Sequence, residues 1–570
     1  MTEPARNRFQ KFIDGLKNTD SEVKFMSVAA LGILRIKEHS NALCDLLSSP
    51  DTILVEAVIK SLGQIGNPSS VKYLVDFVTN RDDKLAKAAV ESLNKIDLSS
   101  CLDILIKACG ADQPAPIRYK FVKLLSDYND IRVASLMNEI LGQTRDPELL
   151  TAAVSYFIKY PSPERHTPLK MLTSNGNWNI SLVANLALSR LRDEGALAQV
   201  KRLAKSSNPD VRQIIINALI SNPLIQDRPI FQILFEDNRV DIRKKAIEGL
   251  TLFSADERIN IIRHWLEKEN DNNIRIALTE CAAKEKSPIL YSEIFKLLQS
   301  TDEKLQKTAI DALSKIGEPI VDNIITDYER MPLLVKEHLL LVLGRIGSPK
   351  GVNIIKDAIA AKERWLRING IEAACMLKSP ELVQLLKDIV KNPTTDIWVM
   401  ATTISVLGRL NDPSMVEYLI PNLKNEDARV RANTIEALSG YKWEGLPEAC
   451  FGLLKDRNDR VRVNAAIALW RSGHSEVFGE LEKMSRDKSR WVRASAVFAL
   501  GQIDDPEGVP ILIRMLHDKE DMVYRNALTA LSWHGDLRAL IPILNEASCS
   551  RLSASFYDTI IDRFAQAIKE

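Results

Sequence analysis

The sequence has almost no net charge. Its 570 residues carry 76 Lys and Arg against 75 Asp and Glu, leaving +1, and so balanced a chain does not advertise a nucleic-acid or membrane partner. No run of about 18 apolar residues occurs anywhere. The opening MTEPARNRFQKF has no apolar core followed by a small-residue cleavage site, so the expectation is a soluble, non-secreted protein without a membrane span. Cysteine is sparse: Cys44, Cys101, Cys109, Cys281, Cys375, Cys450 and Cys549 form no C-x-x-C pair. Most lie within or beside helical patterns, which predicts reduced, packed thiols and a cytoplasmic compartment. Gly-rich phosphate loops and nucleophile-elbow motifs are missing, and no segment shows strand alternation.

What is present is a period. A chain of this length exceeds what one hydrophobic core covers, so either several domains or a repeat array must account for it. The segments VKFMSVAALG (23–32), VRVNAAIALW (461–470) and VRASAVFALG (492–501) share one pattern, V-R-x-x-A-A-x-A-L-G. Its first apolar position, the anchor, falls at Val23, Leu54, Leu85, Ile117, Leu150, Ile180, Val211, Ile242, Ile274, Leu305, Val335, Leu366, Val399, Val430, Val461, Val492 and Val523. All sixteen intervals are 30–33 residues, a regularity that marks a repeat array. Eight positions after the anchor stands Leu in fourteen copies, and seven after it a small residue in thirteen. Anchor, +4, +7 and +8 share one helix face, and small residues there admit a neighbouring helix closely.

Three residues before the anchor stands Asp, Asn or Ser in eleven copies, among them Asp20, Asp51, Asp82, Asp302, Asp427 and Asn458, which read as N-caps. Each helix then ends at a breaker, often Gly (Gly66, Gly317, Gly347), and Pro68, Pro349 or Pro506 starts a second helix with apolar residues such as Val509, Leu512, Ile513 and Leu516 on one face. The unit is helix, turn, helix. One pair cannot bury its own stripe, so neighbours stack around a shared core.

These motifs are similar to those of the HEAT-repeat family, specifically its short bacterial, phycobilisome-lyase-like branch, whose units read D-x-x-V-R-x-x-A-A-x-A-L-G-x-I-G-D-P. The resemblance runs along nearly the whole chain and implies an all-α fold, an α-α superhelix (armadillo/HEAT-type solenoid) of about seventeen helix pairs. The expected organisation is an N-terminal cap helix at 1–18, repeats 1–5 at 19–178 with a possible bend near 100–180, repeats 6–11 at 179–360, the best-matching repeats 12–17 at 361–548, and a C-terminal cap helix at 549–570. Leu552, Phe556, Ile560 and Phe564 form that last helix's apolar face.

In the family the V-R-x-x-A-A helix lines the inner face, with partner-facing positions at −2, −1, +2, +3 and +6 from the anchor. At −1 the last six copies carry Trp365, Trp398, Arg429, Arg460, Trp491 and Met522; at +3, one turn on, they carry Asn369, Thr402, Asn433, Asn464, Ser495 and Asn526. These twelve are the candidate partner-binding residues. Asn both donates and accepts, suiting the backbone of an extended peptide, while Trp offers shelves for its side chains; armadillo-type carriers use a similar W-x-x-x-N geometry. Arg364, Arg429, Arg460 and Arg490 tilt the groove toward acidic or phosphorylated ligands, partly offset by Glu372 and Glu436. The alternative is structural: both rows are common in this branch and can stabilise the stack. Recurrent Arg at +1 (Arg118, Arg212, Arg243, Arg275, Arg367, Arg431, Arg462, Arg493) is expected to pair with acids of adjoining turns as exposed ion pairs, each contributing about 0–1 kcal/mol. Trp265, Trp470 and Trp533 are expected in the core.

The expected function is a non-enzymatic protein-protein scaffold, with no cofactor and no metal. The family's di-iron hydroxylases bind iron through His-Glu dipeptides; this chain has none, and His39, His166, His264, His338, His474, His517 and His534 are scattered. Two alternatives stay open, a phycobilin-lyase-like chromophore handler and a nucleic-acid-binding solenoid, the latter opposed by the neutral charge.

Overall fold

A computed structural model describes residues 12–80, 83–410, 412–503, 505–548 and 551–567. Every regular element among them is an α-helix or a short 3₁₀-helix, and successive helix pairs give an all-α array of the armadillo/HEAT class. The chain divides into two units, residues 1–252 with 535–570, and residues 253–534. Within the second unit each first, or inner, helix packs beside the inner helix of the next repeat. Six consecutive ones matter below: α1 (Arg364–Leu377), α2 (Ile397–Arg409), α3 (Ala428–Gly440), α4 (Asp459–Arg471), α5 (Arg490–Gln502) and α6 (Asp521–His534).

The caps form as the spacing predicts. Asp20, Asp51, Asp302, Asp427 and Asn458 each accept a hydrogen bond from a backbone N–H in the first turn of the helix that follows, satisfying donors that a helix start leaves open. Asp82, Cys549, residues 1–11 of the expected N-terminal cap, and residues 550 and 568–570 of the C-terminal one lie outside the described residues. Gly66 and Gly347 end their helices at φ 68° and 75°, where a side chain would be strained. The following proline does not begin the second helix directly. Pro68, Pro349 and Pro506 open one 3₁₀ turn, and the α-helix starts at Val71, Val352 and Val509.

The core follows the period. Leu305, Val335, Val399, Val430, Val461 and Val523 are buried, as are Leu31, Leu62, Leu500 and Leu531 eight residues after their anchors. The small residue at +7 has a specific partner, a glycine at +9 of the preceding repeat. Gly63 faces Ser92, Gly344 faces Ala373, Gly408 faces Ala437 and Gly501 faces Ala530, each so closely that an added Cβ would lie under 3.0 Å from the neighbour. Paired small residues thus set the distance between consecutive inner helices.

The +1 arginines are structural, but they are not the exposed ion pairs expected from sequence. Arg431 is 6% exposed and forks onto Asp456 with two bonds of 2.8 Å, while its remaining terminal nitrogen donates to the carbonyls of Asn425 and Glu426. Arg212 with Asp237 and Arg493 with Asp518 repeat the arrangement. The acid stands 25 residues on, in the turn before the next inner helix, so one side chain clamps two inter-repeat turns. Its long stem is covered by the helix pair it joins, a burial that helical periodicity does not reveal.

In the first unit, helices Leu540–Ser548 and Ala554–Ala567 both pack against Ser21–Leu34 of the first repeat. The last helix buries Tyr557, Ile560 and Phe564. Phe556 and Leu552 are only half-buried, so the packed face is rotated from the expected one by the intrusion of Tyr557. The six described cysteines are free thiols, and all but Cys281 are buried; burial pushes the Cys450 thiol up to about 12. Among the described residues no helix is long and apolar enough to cross a membrane.

Candidate functional site

At about 100° per residue, positions −1, +3, +6 and +10 from an anchor fall within a sector of roughly 60° facing away from the buried stripe. On α1–α6 this sector is the exposed inner ridge. Trp365, Trp398 and Trp491 stand on it at 61%, 48% and 57% exposure. Their placement follows from the caps: Asp396 accepts from the backbone N–H groups of Trp398 and Val399, fixing Trp398 in the first turn of α2.

Neighbouring ridges are tied together. The guanidinium of Arg429 lies 4.2 Å from the Trp398 ring centroid and also binds its own N-cap, Asp427. The Asn433 amide donates to the carbonyl of Ala401 at 3.0 Å and its oxygen accepts from Arg460 at 3.1 Å. The Asn464 amide donates to the carbonyl of Ala432, 3.0 Å away, and Ser495 donates to Asp459 at 3.1 Å. Apart from the Arg429–Asp427 bonds, each of these runs from one inner helix to an adjacent one. Both polar ends of Asn433 are engaged, whereas the Asn464 oxygen and second N–H have no partner among the described residues.

Arg460, Asn464, Trp491, Ser495, Met522 and Asn526, six of the twelve candidates, line one groove of about 500 Å³ across α4, α5 and α6. Trp365, Asn369, Trp398, Thr402, Arg429 and Asn433 lie outside it on α1–α3. The groove also takes in Glu436 of α3, expected there from sequence as an offsetting charge, and Ile467, Arg471, Phe498 and Gln502, which are not among the twelve candidates. Ile467 and Phe498 occupy +6, a position the repeat register already marks as inner. Arg471 and Gln502 occupy +10, which falls about 20° from −1 and so shares its direction. Phe498 is 53% exposed, an aromatic ring left bare two turns along α5 from Trp491.

The same register corrects Trp533. It is 64% exposed rather than part of the core, because at +10 of α6 it points with Met522 and Asn526 instead of with the anchor; Trp265 and Trp470 are half-buried.

The cations also redistribute. Arg364 pairs with Asp396, Arg429 with Asp427 and Arg490 with Glu520. Hydrogen bonds from Arg429 hold the Asp427 carboxyl below its usual range. Arg460 is bonded to the Asn433 amide. Arg471, exposed in the groove, makes no ion pair among the described residues.

The first unit holds a concavity of its own, about 830 Å³ with Val183, Ile214 and Ala218 among its lining. There Asn222 donates to the carbonyl of Lys159 across 63 residues, joining helix Pro147–Lys159 to the end of Pro209–Ser221 over the intervening repeat.

The family model described as HEAT repeats matches residues 9–94, 446–532 and 479–547, the last two spanning the groove. No curated protein matches the sequence. Among solved structures, yeast importin-beta is similar at 12% identity over 99% of this chain and 88% of that one, with a TM-score of 0.43. A complex titled Kap95:Nup1 gives 13% identity, 98% and 88% coverage and a TM-score of 0.41. Human deoxyhypusine hydroxylase gives 18% identity over 46% of this chain and 96% of that one, with a TM-score of 0.21.

Proposed function

We propose that this chain, a HEAT-repeat protein, is a non-enzymatic scaffold that holds a segment of another protein in the groove of α4, α5 and α6, within a reducing compartment that keeps its cysteines as thiols. The observation that carries this reading is that two largely exposed aromatic rings, Trp491 and Phe498, line with Ile467 one concavity of about 500 Å³. Each such ring is worth about 1.5–3 kcal/mol when fully covered, and an aromatic cluster rimmed by polar groups is the usual anatomy of a binding hot spot. The rim supplies hydrogen-bonding groups that a peptide backbone needs: the free oxygen of Asn464, and Asn526 and Gln502.

A photo-crosslinking residue placed at Phe498 tests the reading, with one at Gly479, an exposed position on the neighbouring second helix Val477–Met484, as control. The expected result is a protein adduct from Phe498 that maps to one contiguous segment and is absent from Gly479. Adducts only to nucleic acid or a tetrapyrrole, or none above the control, overturn it.

A further inference from the structure

We infer that the segment held in this groove carries an acidic side chain next to its apolar anchor, and that Arg471 is the group that selects it. The inference rests on the peptide-groove reading above. Four arginines near the inner ridge are already engaged: Arg364, Arg429 and Arg490 by acids, Arg460 by an amide. Arg471 is exposed, lines the same groove as Phe498 and Gln502, and makes no ion pair among the described residues. It stands eleven residues from Arg460 on α4, about 16 Å at the helical rise, so the two cations mark opposite ends of the groove.

Between them lie the apolar Ile467 and the open amide of Asn464. A ligand residue seated on Phe498 and Ile467 therefore places its neighbour beside Arg471, where a carboxylate accepts a forked pair of bonds. Among the described residues the only acid lining the groove is Glu436, which belongs to α3, two inner helices from Phe498. It stands at +6 of α3, one inner helix from Arg471 at +10 of α4, the register at which Glu372 of α1 binds Arg409 of α2 at 2.7 Å, so a ligand carboxylate competes with Glu436 for Arg471. With two lining arginines against one glutamate, the complementary charge is negative, and a charge of this kind sets specificity and salt dependence more than total affinity.

The test is a random-peptide phage library selected on the full chain, followed by binding of synthetic copies of the enriched peptides to variants. The expected peptides place Asp or Glu beside an aromatic or aliphatic residue. Phe498→Ala abolishes their binding, Arg471→Glu weakens it on the order of tenfold or more, and Glu436→Gln tightens it by roughly twofold or more. Arg471 and Glu436 are exposed, so circular dichroism melts should match the parent. Peptides that depend on Phe498 but carry no acid, or that bind Arg471→Glu as well as the parent, overturn the inference and leave the groove reading standing. If no enriched peptide depends on Phe498, the groove reading falls and the inference with it.

Discussion

Gly408 of α2 lies against Ala437 of α3 so closely that a methyl group on the glycine would sit 2.6 Å from the alanine Cβ and 2.8 Å from its Cα. Two effects oppose each other in Gly408→Ala. Helix propensity gains up to about 1 kcal/mol, while overpacking against a backbone costs about 1–3 kcal/mol. The contact should win, giving a net destabilisation of about 1 kcal/mol in urea unfolding. Gly142, helical with nothing within 4 Å of its added Cβ, is the counterpart: Gly142→Ala should stabilise by up to about 1 kcal/mol. Equal effects at the two positions would contradict this packing rule.

The clamp between Arg431 and Asp456 gives a pH-dependent prediction. Burial works against the Asp456 carboxylate, but the bonds from Arg431 and from the backbone N–H of Asn458 outweigh it and hold the carboxyl below its ordinary range. A depressed folded-state pKa contributes stability that is present above the unfolded value of about 3.9 and is lost as pH falls through the folded one. Asp456→Asn leaves a buried guanidinium unpaired and should cost about 3 kcal/mol at neutral pH. The gap between parent and variant should narrow below about pH 4 in urea titrations; a gap constant with pH would contradict the assignment.

Asn433 should behave as a tie between helices. Asn433→Ala removes bonds to Ala401 and Arg460, each worth about 0.5–1.5 kcal/mol net. Hydrogen exchange should therefore quicken in α2 and α3 before it changes in α6. Unchanged protection in α2 and α3 would show that the tie carries no energy.

Much of the fold was legible because it repeats. An anchor such as Val461 recurs at nearly constant spacing, and caps such as Asn458 are local chemistry that needs no partner from elsewhere in the chain. Contacts between repeats were legible only in part. The small residue at +7 announced close approach, but not that Gly408 would be its counterpart. Arg431 was recognised as structural, yet its burial depends on the turn that Asp456 brings from 25 residues away. The packing of Ala554–Ala567 on Ser21–Leu34 leaves no mark in either segment. At the candidate site, the −1 and +3 positions point to Trp491 and Asn464 and the +6 position to Phe498, while Arg471 at +10 is reached only when the register is extended along the full helix. Trp533 escapes a core reading for the same reason: size and hydropathy favour burial, but its +10 angle turns it outward with Met522 and Asn526.

The most direct measurement is the affinity of the segment crosslinked at Phe498, as a purified peptide, for the parent and for Trp491→Ala/Phe498→Ala, by isothermal titration calorimetry with matched circular dichroism. Loss of two aromatic contacts should weaken binding by about 2–4 kcal/mol, roughly thirtyfold or more, with unchanged helicity. Equal affinity for the two proteins would contradict a role for this groove.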